Sequence, residues 1–177
     1  PPTLAMLDIS DVAALYEEKA LDLSDEEWAK DAGGQTYPLD GKVYSFPMGV
    51  EGKGLIYNKT AIEKTLGHSF DPAAYNTYET FRVLLDELKA NGMETPVAVT
   101  KEDWSLGSHV LGTLYEAQAD TEEGREAFLD ELRAGTADVA ENTRFNQLMD
   151  TFDLLKANNI SKADPMAADY AVDPSYI

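Results

Sequence analysis

The chain of 177 residues contains no cysteine. This absence excludes a disulfide framework and any catalysis that needs a thiol. It is also typical of proteins outside the cytoplasm, which avoid mispaired cysteines. The only two histidines, His68 and His109, are isolated from each other and from any serine nucleophile pattern, so we assign them no chemistry.

Basic residues are scarce as well. Lys and Arg number 14 against 33 Asp and Glu, which gives a net charge of −19. We therefore expect no nucleic acid and no anionic membrane surface as a partner. No apolar run approaches the roughly 18 residues of a membrane helix. Pro1-Pro2-Thr3 lacks the basic and apolar parts of a signal peptide, and the abrupt start is what we expect of a processed or truncated chain.

Signatures of a bound metal or cofactor are also lacking. The acidic residues at 22–27 do not have the alternating oxygen ligands and central glycine of a calcium loop. Acidic residues in the first turn of a helix are already explained by the helix dipole. The glycines at 49, 52 and 54 precede a strand pattern, whereas the nucleotide-binding fingerprint opens a helix. We expect no metal and no cofactor.

What is present is organised around residues 40–59, DGKVYSFPMGVEGKGLIYNK. The pattern predicts a short strand at Val43-Tyr44 and a second one at 55–57. Pro47 interrupts the run between them, and three glycines follow within a few residues, at Gly49, Gly52 and Gly54. Such a stretch is either an ordinary hairpin or the point where a chain crosses from one lobe to another.

Helical patterns occupy much of the rest of the chain. Apolar residues at three- and four-residue steps predict helices beginning near Ser10, Thr60, Asn76, Asp120 and Thr143. Ser24 with Glu27 fits a capping box for a further short helix, and Asn91-Gly92 and Gly135 are predicted helix ends. The apolar face of the helix that begins near Asn76 would consist of Tyr78, Phe81, Leu85 and Leu88. The run PVAVT at 96–100 predicts an apolar strand. A strand, a helix and a strand would then follow one another over residues 55–100, which predicts a βαβ unit in a parallel sheet.

The segment KEDWSLG at 101–107 follows that predicted strand directly. In open α/β sheets, ligands bind beyond the carboxyl ends of the strands. Glu102 and Asp103 offer acceptor oxygens beside the flat ring of Trp104, a set that suits the hydroxyls and the apolar face of a sugar. The alternative is that Trp104 is a core residue and the carboxylates are merely solvated. A catalytic pair is not expected, because glycosidase carboxylates stand about 5 to 10 Å apart across the bond they cleave.

Three runs in combination, residues 40–59, the helix YETFRVLLDELKANG and PVAVTKEDWSLG, resemble the extracellular solute-binding proteins of sugar ABC importers, the maltose-binding group in particular. The resemblance covers about residues 37–165. It implies an α/β fold: a periplasmic-binding-protein-like lobe of type II, with a mostly parallel sheet flanked by helices, in a partial chain. Residues 1–48 would be a remnant of the first lobe, residues 49–165 the core of the second, and residues 166–177 a truncated tail.

The resemblance also implies a function without catalysis. Two lobes would close on a carbohydrate, such as an oligosaccharide, and deliver it to a membrane ABC permease. The ligand contacts would be Glu102, Asp103, Trp104 and Glu51, with Glu51 facing the cleft. The hinge would be the Pro47 to Gly54 stretch defined above. The protein would work outside the membrane, in the periplasm or at the cell surface, with a lipid anchor on the full-length protein.

Other functions remain open at the level of sequence. The chain could be an extracytoplasmic glycoside hydrolase that pairs Glu102 or Asp103 with a distant carboxylate. It could bind a different solute, such as a polyamine or a peptide. It could also be an interaction domain in which Trp104 is buried.

Overall fold

A computed structural model of the chain describes residues 3–49, 52–102, 104–161 and 164. The chain divides into two compact units, Pro1–Gly54 and Leu55–Ile177. The boundary predicted after residue 48 lies a few residues before this division. The predicted tail at 166–177 lies outside the described residues.

The prediction of an α/β fold with a mostly parallel sheet is wrong. The structure is 54 % helical and 3 % strand, and the described residues form no sheet. Within those ranges, strand-like pairing is confined to two isolated bridges, Leu39 with Lys42 and Val97 with Asn159. The predicted strands at 43–44 and 55–57 lie in irregular backbone. A short apolar run becomes a strand only where another segment pairs with it, and these two runs form no ladder with the described chain. The βαβ unit predicted over residues 55–100 is therefore wrong too.

The first unit contains two short α-helices. Helix α1 spans Ile9–Lys19, which confirms the helix predicted from Ser10, and α2 spans Glu27–Asp31. A 3-10 turn, Gly33–Thr36, follows α2. The capping box predicted at Ser24 is wrong, because α2 has no side-chain cap.

Side-chain contacts fasten the loop at 40–43 of this unit to the segments before it. The Tyr16 hydroxyl donates to Asp40 at 2.6 Å. Lys42 pairs with Asp22 at 2.9 Å, and the Ser24 hydroxyl donates to the same Asp22 carboxylate at 2.6 Å. These contacts, the Ser24 hydroxyl first, lower the pKa of Asp22 to about 2. The acidic segment thus has a protein cation as its partner, and no cluster of three or more metal-ligating side chains occurs among the described residues.

The second unit is a run of helices. They are α3 (Lys59–Leu66), α4 (Tyr78–Ala90), α5 (Thr113–Glu116), α6 (Glu122–Ala134) and α7 (Thr143–Ala157), with a 3-10 turn at Pro72–Tyr75 and a π-helix at Trp104–Leu111. Thr77 and Thr121 cap α4 and α6, one residue after the caps predicted at Asn76 and Asp120. Asn142 caps α7. The predicted helix ends at Asn91-Gly92 and Gly135 are confirmed.

The best-packed core of this unit lies where α3 and α4 meet. Phe70, Leu84 and Leu88 are buried there, and Ile62, Leu66, Tyr75, Phe81 and Met93 pack around them. Of the face predicted for α4, Leu85 and Leu88 are buried, but Tyr78 is exposed. Leu84, which was not predicted to belong to this face, is buried as well. No helix in the described ranges is long and apolar enough to cross a bilayer.

Candidate functional site

The candidate site lies on the segment that runs from 96 to 111, between α4 and α5. Its first part is fastened to the end of α7 by backbone hydrogen bonds. The Val97 N–H donates to the Asn158 carbonyl at 3.2 Å, and the Val97 carbonyl accepts from the Ile160 N–H at 2.8 Å. One predicted apolar strand therefore survives as a single parallel bridge at Val97, and the segment leaves it in a fixed direction toward residue 101.

Trp104 is the first residue of the π-helix, and its indole is partly open to solvent. The residue is 42 % exposed, so the interpretation in which it is simply a core residue is wrong. An aromatic face that is partly open to solvent can pack against the apolar face of a ligand.

The ring of His109 contacts this indole. The two rings meet edge-on, with centroids 5.3 Å apart and an interplanar angle of 67°. The two residues are five positions apart, the spacing that a π-helix bonds and an α-helix does not. His109 was assigned no role from the sequence, because residues share the face of an α-helix when they are three or four positions apart, and His109 lies five positions after Trp104. The π-helix itself is a rare geometry that occurs frequently at functional sites.

Glu102 precedes Trp104 by two residues and is less open than the sequence suggested. The residue is half-buried, and its carboxylate oxygen Oε2 is shielded from solvent. Its backbone carbonyl accepts from the Ser105 N–H at 3.1 Å, which links it to the first turn of the π-helix. Asp103 and Glu51, the two other predicted ligand contacts, lie outside the described residues.

The predicted hinge residues fall around the division between the two units. Pro47 is half-buried and the three glycines, Gly49, Gly52 and Gly54, are exposed. A methyl group added to any of these glycines would meet nothing within 4 Å, and none of them has a left-handed φ. Neither close approach nor backbone strain therefore requires glycine there. Their role as a hinge stays a prediction.

The motif Tyr57-Asn58-Lys59, which contributed to the family resemblance, has a local structural role. The Tyr57 ring contacts Phe70 edge-on, with centroids 5.2 Å apart. The Asn58 side chain accepts from Ala61 N–H and caps α3. These contacts anchor the start of the second unit to its own core, so the motif alone carries no information about a ligand.

Comparison of the chain with protein-family models, with curated proteins and with solved structures finds no match.

Proposed function

We propose that this chain binds a carbohydrate at the surface formed by Trp104 and its neighbours, here called the Trp104 surface (Glu102, Trp104 and His109). The observation that carries the proposal is the 42 % exposure of Trp104. Sugar rings present apolar C–H faces that pack on an indole, and hydroxyls that donate to carboxylates. In the Trp104 surface, Trp104 would supply the aromatic face, and the half-buried Glu102, two positions earlier in the chain, would supply the carboxylate.

The net charge of −19 narrows the class of sugar. It repels sulfated and uronic acid sugars at long range, so the proposal is for a neutral sugar. The wider role that we propose is delivery of this sugar to an ABC permease outside the membrane, without catalysis, with the stretch from Pro47 to Gly54 as the hinge. Support for that role comes from the resemblance in sequence and from the place where the two units divide.

Fluorescence titration tests the proposal directly. Each unit holds one tryptophan, so the Trp28→Phe variant leaves Trp104 as the only indole. Neutral mono- and oligosaccharides should change its emission saturably. In the same chain, Trp104→Ala should weaken binding, measured by calorimetry, at least about tenfold, or ~1.4 kcal/mol. Trp104→Phe keeps an aromatic face and should lose less. Binding that is unchanged in Trp104→Ala, or absent across the whole panel for the wild-type chain, contradicts the proposal.

A cationic solute such as a polyamine is the second candidate. The same net charge favours it, and an exposed indole attracts cations through its π-face. Salt separates the two candidates, since it screens the attraction of a cation but leaves sugar stacking almost unchanged. Affinity for a polyamine that falls steeply between low and high salt, with no response to neutral sugars, favours the second candidate.

A further inference from the structure

Asn159, just beyond the end of α7, is one of the most buried residues in the described chain, with 1 % exposure. Its side chain bonds both backbone groups of a single distant residue, Val99. The oxygen Oδ1 accepts from the Val99 N–H at 2.9 Å, and Nδ2 donates to the Val99 carbonyl at 3.4 Å. A side-chain amide carries both an acceptor oxygen and a donor NH₂ group, so it can satisfy an N–H and a C=O together as a neighbouring strand would.

This amide completes the attachment that the backbone begins two residues earlier. Val97 is held by the main chain of Asn158 and Ile160, and Val99 by the side chain between them. The segment is thereby fixed at two successive points just before it enters the loop that carries Trp104. No sheet is present in the described residues to hold this segment, so the attachment falls to these bonds.

Asn158 provides an internal comparison. It is equally buried, with 2 % exposure, but its side chain donates to the Leu154 carbonyl of its own helix at 2.8 Å. Loss of the Asn158 amide would therefore affect the end of α7 without releasing the segment at 97–99. Loss of the Asn159 amide would leave the N–H of Val99 without this partner, at a site that is already partly buried.

We propose that Asn159 is a positioning residue for the Trp104 surface, acting through the backbone of Val99; the part of this inference that concerns ligand affinity rests on the proposed carbohydrate function. The amide fixes the direction in which the chain leaves Val99. The direction of that exit sets how the indole of Trp104 is presented. Asn159 touches no ligand itself.

The test uses the full chain with Trp28→Phe, so that Trp104 is the only emitter. Asn159→Ala should change the acrylamide quenching constant of Trp104 at least about 1.5-fold without any ligand, because the loop is released. It should also weaken sugar binding about fivefold or more. Asn158→Ala should lower the urea midpoint but leave both the quenching and the binding as in the wild type. All measurements are made where each variant retains its far-UV circular dichroism.

A second variant removes the other partner of the same bond and leaves α7 intact. Val99→Pro lacks the N–H that Asn159 binds, because proline has no backbone N–H. It should reproduce the change in Trp104 quenching, and it carries the test if Asn159→Ala does not fold.

The outcomes separate the two proposals. Trp104 quenching that is unchanged in the folded variants overturns the positioning role, whether or not the wild-type chain binds sugar. Changed quenching together with unchanged sugar affinity also overturns it, because the amide would then fix the loop without serving the ligand. Changed quenching in a chain whose wild-type form binds no sugar supports the positioning of Trp104 and refutes the proposed function.

Discussion

Two adjacent residues of α4 provide a sharp test of the structure, because one is buried in the core and the other is open to solvent. Leu84 is 4 % exposed and belongs to the core cluster, whereas Val83 is 51 % exposed. Leu84→Ala removes three buried carbon atoms, worth about 2.4 kcal/mol at ~0.8 kcal/mol each, and leaves a cavity besides. The expected loss of unfolding free energy is about 2–5 kcal/mol. Val83→Ala loses less contact and gains helix propensity, so its effect should stay within about 0.5 kcal/mol.

Urea unfolding measures both variants. Emission of Trp104, with Trp28 replaced by Phe, reports the second unit alone. With a slope of about 1–3 kcal/mol per molar urea, the loss of about 2–5 kcal/mol in Leu84→Ala should lower the midpoint by at least ~0.7 M. Val83→Ala should leave it nearly in place. Equal losses in the two variants, at an unchanged slope, would refute the burial of the Leu84 face and with it the packing of α4 on α3.

Two further predictions concern backbone and charge. Gly135 ends α6 at a left-handed φ of 68°, so Gly135→Ala should lower the free energy of unfolding by about 1–2 kcal/mol, measured by thermal or urea unfolding. Gly54→Ala is the control: it has open space and no left-handed φ, so it should cost almost nothing. Equal losses in the two variants would contradict the helix end. The pKa of His68 is raised, first by its hydrogen bond to the Ser69 carbonyl and further by Glu87, so its charged form stabilises the fold. The stabilisation by charged His68 is full below the ordinary pKa of about 6.5 and is lost as the pH rises through the raised pKa of the folded state. His68→Gln should therefore lose more stability, measured by urea unfolding, at pH 5 than at pH 8. A larger loss at pH 8 would refute the pairing of His68 with Glu87.

Helices were largely predictable from the sequence because their signals are local. The stops at Asn91-Gly92 and Gly135 need only a residue that tolerates the turn out of the helix. The starts were wrong by one residue where two capping side chains compete, as at Asn76 and Thr77. Thr77 prevails because its hydroxyl accepts from the N–H of Thr80, while its own backbone N–H donates to the Thr80 hydroxyl. Sequence spacing cannot decide between such neighbours.

Strands were not predictable, because a strand exists only with a partner distant in sequence. The run at 96–100 has the composition of a strand, and its partner turns out to be the irregular end of α7. There the side-chain amide of Asn159 binds the backbone of Val99, where the prediction expected the backbone of a second strand. Nothing in the local pattern of either segment indicates this pairing.

The candidate site was predictable in part. Residue type and position drew attention to Glu102 and Trp104, and the structure shows that Trp104 is 42 % exposed; the role of both residues in a site stays a prediction. The half-buried state of Glu102 and the contact with His109 depend on the π-helix. A π-helix has no reliable local signature, so these features required the structure.

The apolar side chains at the start of the second unit have a consequence for how the chain behaves at high concentration. Ile56 is 92 % exposed and Leu55 is 63 % exposed, next to each other in the sequence. Molecules that meet through this patch would gain hydrophobic contact, while a charge of −19 on each pushes them apart. Salt shortens the reach of that repulsion to about 10 Å at 0.1 M but does not weaken the contact. The second virial coefficient of the chain should therefore fall as salt is added. Conditions that screen the repulsion between the chains thus also favour their association.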